Sequence, residues 1–195
     1  MNGERAIPTH DEAIAATASW LERAVIGLNL CPFAKAVLVK GQIRFAVSDA
    51  STTAGLLDDL ERELQALEQA NPDDLDTTLL IHPGVLTEFL DHNDFIEIAE
   101  AAVESLGLTG ILQVASFHPD YRFADTPPDD VTNYVNRSPY PTLHLLREAS
   151  VAVAVATFSD PKEIYERNMA TMRRVGVAGC TALGIGSPVR GTGRH

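Results

Sequence analysis

Cysteine is almost missing from this chain: Cys31 and Cys180 are the only two in 195 residues. Their contexts differ, so no disulfide framework is laid down and a reducing compartment fits. Cations are in the minority, with 15 Lys and Arg against 27 Asp and Glu and a net charge of -12. Such a surface repels phosphate backbones and anionic lipid, so nucleic acid is not expected as a partner. The acids are interleaved with Leu, Ile and Val at regular spacing, as on a solvated folded surface rather than a disordered one. Long apolar runs are lacking too. The longest, 24–39, is shorter than a bilayer span and is interrupted by Asn29, Pro32 and Lys35, so no membrane partner is expected. Residues 1–12 carry neither the basic start nor the apolar run of a secretory signal, and a cytoplasmic protein is expected. There is no P-loop, no strand-linked Gly-x-Gly-x-x-Gly, no His-Glu-x-x-His and no paired Cys-x-x-Cys, which disfavours the familiar nucleotide and structural zinc sites.

What is present suits one core. At 45% hydrophobic content, the length favours a single α/β domain over 1–183, followed by a Gly-rich, flexible C-terminal tail over 184–195. Thr9 or Asp11 caps a helix reaching about Leu28. Alternation over Gln42–Ser48 predicts a strand, and Ser51–Asn71 an amphipathic helix. Strand, helix and strand follow at Thr77–Ile81, Val85–Leu106 and Ile111–Phe117. The stretch 120–141, with Pro127, Pro128, Pro139 and Pro141, reads as an ordered loop pinned by aromatics. A helix over Thr142–Arg147, a strand over Val151–Thr157 and a helix over Pro161–Val175 complete the chain. Consecutive strand-helix-strand units imply parallel pairing. The expected fold is a three-layer α/β architecture, a mainly parallel sheet of about four strands with helices on both faces; a ferredoxin-like α+β sandwich is the alternative.

The most specific chemical feature is a duplicated strand end, Ile81-His82-Pro83 and Phe117-His118-Pro119. Ligands of open parallel sheets bind beyond the carboxyl ends of the strands, so both histidines can serve one cleft. Imidazole acts there as general acid or base, or its neutral nitrogen ligates a transition metal such as zinc or iron. Asp120 can orient His118 or add an oxygen ligand. Cys31, just before Pro32, can sit at the positive end of a short helix as a thiolate nucleophile, or be a small buried hydrophobe. Within Asn133-Tyr134-Val135-Asn136-Arg137-Ser138-Pro139-Tyr140-Pro141, Arg137 can clamp an anion while Asn133, Asn136 and Tyr140 supply directional bonds. The same groups can instead pin their own loop. His144, sharing a helical face with Arg147, can complete a histidine cluster. His92, among Asp91, Asn93 and Asp94, reads as solvent-facing, as do His10 and His195.

Three strings together resemble a known family: Trp20 through Cys31-Pro32-Phe33-Ala34, Val114 through His118-Pro119-Asp120-Tyr121, and Thr132-Asn133-Tyr134 through Pro139-Tyr140-Pro141. They resemble the bacterial family called domain of unknown function 1415, over roughly Thr17 to Gly179. The resemblance implies a small protein and no assigned reaction. Two readings follow from the residues. One is an enzyme acting on a small anionic metabolite through His118, His82, Asp120 and Arg137, with or without a metal held by His82 and His118. The other is a non-catalytic binding or assembly module whose histidines are structural. Both take a small-molecule or partner ligand, and neither fixes an oligomeric state.

Overall fold

The computed structural model describes residues 7–156 and 161–186. Helix α1 (His10–Trp20) opens with a capping box: the Thr9 hydroxyl accepts from Glu12 N–H, and the Glu12 carboxylate accepts from Thr9 N–H. The two exchanges satisfy donors that the first turn leaves without partners. The helix continues as a wider π-helical turn over Leu21–Ile26. A short helix, α2 (Ala34–Val39), leads into strand β1 (Ile43–Val47). Helix α3 (Thr53–Gln69), capped by Thr52, strand β2 (Thr77–Ile81), helix α4 (Phe89–Ser105) and strand β3 (Leu112–Phe117) follow. After a loop containing a 3₁₀ turn over Val131–Asn136 come strand β4 (Thr142–Arg147), helix α5 (Glu148–Val155) and helix α6 (Pro161–Ala182). Helix α6 is broken at Gly176, whose φ of 69° lies outside the helical region.

The described residues form one four-stranded sheet, in the order β1-β2-β4-β3. Strands β1 and β2 pair in parallel, while β4 pairs antiparallel with both β2 and β3. The expectation of a mainly parallel sheet is therefore corrected. Strands β1, β2 and β3 do point the same way, but β4 is inserted between β2 and β3 and takes both of their ladders. The ferredoxin-like alternative also fails, because β1 and β2 are adjacent and parallel. Two local assignments are exchanged. Residues 142–147 form a strand, in which Leu143 and Leu145 alternate inward, and 148–155 form a helix; Thr157 of the expected strand lies outside the described residues.

Strand alternation divides the core. Leu56, Leu60, Leu64 and Leu67 recur along α3 on one stripe, all fully buried against Leu80, Leu112, Leu143 and Leu145 and against Phe95 and Ala99 of α4. Each such Leu contributes about 1.5–3 kcal/mol of burial. The other face carries Leu79, Ile43, Phe45 and Phe117, packed under Trp20, Leu21, Ala24 and Met172. Helices thus pack on both faces. Ile185 is buried in this second cluster, so the packed chain extends two residues past the expected domain end; residues 187–195 of the expected tail lie outside the described residues.

Candidate functional site

His82 and His118 lie one residue beyond β2 and β3. By strand parity they continue the Leu80 and Leu112 series, so both emerge on the face covered by α4. Between them stands a residue that the reading of the sequence placed in solvent. His92, on α4, is fully buried, as are His82 and His118. Its ring lies 5.2 Å from that of His82 with 22° between the planes, and 5.2 Å from that of His118 with 38°. The signal for it was present in the sequence: His92 precedes Phe95 by three residues and Ala99 by seven, on the same buried stripe.

One loop orients the two outer rings. His82 Nδ1–H donates to Val85 O at 2.9 Å, and His118 Nε2–H donates to Thr87 O at 3.1 Å. Asp120 N–H donates to His118 Nδ1 at 3.0 Å, so both nitrogens of His118 are engaged. Leu86, between the two accepting carbonyls, has φ 52°, a left-handed conformation that costs a bulky residue of order 1 kcal/mol or more. Three ring nitrogens of the stack are buried without a partner among the described residues: His82 Nε2, His92 Nδ1 and His92 Nε2. A neutral imidazole must carry a proton on one nitrogen, so His92 buries an unanswered donor, at about 1–3 kcal/mol.

Burial holds all three rings neutral. It lowers His82 to about 4, with a smaller repulsion from His118, and lowers His92 to about 2, where His82 and His118 add to the effect. His118 is also lowered by burial, but the carboxylates of Asp120 and Glu88 and the bonds to the Thr87 and Leu86 backbone oppose that shift. Of the three rings, His118 is the one whose charged form has carboxylates and backbone carbonyls to offset burial, though a proton on Nδ1 would displace the Asp120 N–H that now donates there. Outward from it the ring contacts continue through Phe89 at 5.6 Å and Tyr121, 5.3 Å from Phe89. The Arg122 guanidinium stands 5.7 Å from the centre of the Phe89 ring. Arg122 makes no hydrogen bond or ion pair among the described residues. It is a cation that the reading of the sequence passed over.

The other expected site residues are distributed elsewhere. Arg137 lies over the Tyr134 ring at 4.3 Å and donates to Tyr121 O and Pro128 O, so its charge braces the loop. Asn133, fully buried, accepts from Phe123 N–H and the Thr126 hydroxyl and donates to Pro127 O. The Asn136 carbonyl accepts from His118 N–H. Tyr140 is half-buried near Glu12, and burial followed by that carboxylate raises its phenol. His144 is on β4 rather than a helix, facing away from the histidine stack and bonded to Thr77 Oγ1. Arg147, expected on the same face, points the opposite way and reaches Leu67 O and Ala70 O. Cys31 is half-buried; burial raises its thiol despite the Phe33 and Ala34 amides. Cys180 is fully buried beside Met172.

The histidine stack offers only part of a metal-ligand set. His82 has the arrangement of a ligand, one nitrogen donating to a carbonyl and the other bare. The rings are stacked, however, and among the described residues no three His, Cys, Asp or Glu side chains are gathered to hold an ion. Zinc at about 2.0–2.1 Å needs its nitrogens turned toward one point, and His118 has none to spare. As folded, the stack does not fit a metal. Its chemistry is that of neutral, desolvated imidazoles.

No helix of the described residues is long and apolar enough to cross a membrane. No curated protein and no solved structure matches the chain. A family model described as a protein of unknown function (DUF1415) does match, over residues 12–182, and the chain belongs to that family.

Proposed function

We propose that this protein is an enzyme acting on a small anionic metabolite, with the His82–His92–His118 stack handling the proton and Arg122 receiving the anion. The carrying observation is His92: a ring brought from α4 between two others, with both nitrogens buried and unpartnered. Groups that cost stability in this way concentrate where function retains them. The strained Leu86 loop supports the same reading, because it fixes the ring orientations on both sides. A bound anion beside His118 would stabilise its imidazolium, so substrate binding would raise the ring's affinity for the proton it takes up. Phe89 and Tyr121 cover the outer end of the stack, and access requires them to move aside.

The competing reading, a non-catalytic module with structural histidines, draws on the backbone bonds of His82 and His118. It leaves His92 without an account. Protein carrying ¹⁵N-labelled histidine, screened against small carboxylates and phosphate monoesters, separates the two. Expected is a class of compound that shifts the His92 and His118 ring signals together and binds at least tenfold more weakly to Arg122→Gln. Binding that leaves those signals unmoved and survives both Arg122→Gln and His92→Phe would remove the proposal.

A further inference from the structure

The opposite face of the sheet holds a cavity of about 280 Å³, roofed by Leu21 and Val25 of the π-helical turn, by Phe33 and by Val151. Its floor is Leu79, Phe117 and His144. Carbon lines nearly all of it. The lining side chains that carry a polar atom are Thr77, Cys31, His144 and, through its indole N–H, Trp20. The Thr77 hydroxyl gives its proton to Leu145 O at 2.7 Å and therefore accepts from His144 Nε2–H at 2.8 Å. That chain leaves His144 Nδ1 as a bare acceptor, with no hydrogen bond among the described residues, and it is not among the nitrogens sealed from solvent.

We propose that this cavity is a binding site for an uncharged, largely apolar small molecule carrying one hydrogen-bond donor, which His144 Nδ1 receives. An apolar wall with a single fixed polar group is the usual construction of a small-molecule site, the wall supplying affinity and the polar group orientation. Charge of either sign is refused. Burial lowers His144 to about 4 and raises the Cys31 thiol, so neither offers a counter-ion at neutral pH. A bound anion would have to shed its hydration without a partner. The π-helical turn is consistent with this role, since a widened turn displaces Leu21 and Val25 relative to a regular helix exactly where they form the roof. The site is independent of the histidine stack, which lies across the sheet.

Three probes of one shape test the proposal: naphthalene, 1-naphthol and 1-naphthoate, titrated against the full chain by calorimetry and by the fluorescence of the probes. Expected is binding of 1-naphthol about tenfold tighter than naphthalene, the discrimination of one good hydrogen bond, with 1-naphthoate not bound at pH 7. His144→Phe should bring the two neutral probes to equal affinity, and Ala115→Phe, which fills the cavity, should abolish both while the circular dichroism spectrum stays unchanged. If Ala115→Phe does not fold, Leu146→Phe at the neighbouring strand serves the same purpose. Binding of 1-naphthoate as tight as that of 1-naphthol, a preference for 1-naphthol that persists in His144→Phe, or failure of both neutral probes to bind overturns the proposal.

Discussion

His92 stacks on His82 with ring centres 5.2 Å apart and planes 22° from parallel, each keeping a nitrogen buried and unbonded. Two adjacent buried imidazoles that do not satisfy one another are a costly arrangement held by its surroundings. The removal of that arrangement is the first thing to measure.

His92→Phe keeps a ring between its neighbours and deletes the orphaned nitrogens. Stability should rise by about 1 kcal/mol, because an unsatisfied buried polar group costs about 1–3 kcal/mol and the larger ring returns some of that as crowding. In a chain of this size the melting temperature should climb by about 2–4 °C. A fall instead would mean that the nitrogens hold a buried water or ligand.

Acid sensitivity follows from the same burial. The folded state holds His82 and His144 near 4 and His92 near 2, all below the roughly 6.5 of an unfolded histidine. Above that value neither state binds the proton and the stabilisation is complete. As the pH falls through it the unfolded chain takes up protons that the folded chain refuses, and stability declines, down to about 4 for His82 and His144 and further for His92. Each proton of difference tilts the profile by about 1.4 kcal/mol for every tenfold change in acidity. Urea midpoints between pH 6 and 4.5 should show this decline, and His92→Phe should flatten it by about one proton.

Arg147 closes the C-terminal end of α3. Only 9% exposed, it donates to Leu67 O, Ala70 O and Leu75 O and stands 3.8 Å from Asp76. Arg147→Leu should destabilise by about 3 kcal/mol, since the Leu67, Ala70 and Leu75 carbonyls lose their donor at once and Asp76 keeps only the Ser150 hydroxyl. Arg147→Lys should recover less than half of this in a chemical denaturation series, because a single ammonium cannot span the carbonyls that the planar fork reaches.

Asn133 performs the corresponding task in the loop over 119–141. Asn133→Ala should cost about 1–3 kcal/mol and expose that loop to limited proteolysis ahead of the rest of the chain. Asn133→Asp, which still accepts from Phe123 N–H and Thr126 but cannot donate to Pro127 O, should fall between the two.

The sequence reported the first three strands and the two long helices between them because period-two and period-3.6 patterns are local. Thr77–Ile81 is recovered to the residue. What went astray depended on partners distant in the chain. Thr142–Arg147 has a histidine and an arginine three apart, as a helix would, yet it is a strand because β2 and β3 offer unpaired edges on either side. Glu148–Val155 alternates Val with Ala, as a strand would, yet buries no residue fully and coils as a helix. The paired His-Pro strand ends emerge on one face of the sheet, as their shared strand parity dictates. The residue between them is hidden in the sequence, since Asp91, Asn93 and Asp94 suggest a solvent face where the helical stripe through Phe95 and Ala99 indicates the core. Arg137 and Asn133 were legible as a polar group, but only the fold shows that they bond their own loop.

The position of β4 also dictates an order of events in the life of the chain. Strands β2 and β3 are complete by residue 117, yet they do not touch; each waits for a strand that is synthesised last of the four. Pairings this far apart in sequence form late, because the loop entropy is spent before the contacts return it. A nascent chain ending before residue 142 would display two raw sheet edges, and would invite chaperones or aggregation at that moment. His82 N–H is tied to Pro141 O and His118 N–H to Asn136 O, in the segment that leads β4 into its slot. The backbones of both histidines are thus anchored by the segment that carries the fourth strand, and their mutual placement depends on a strand made after either of theirs.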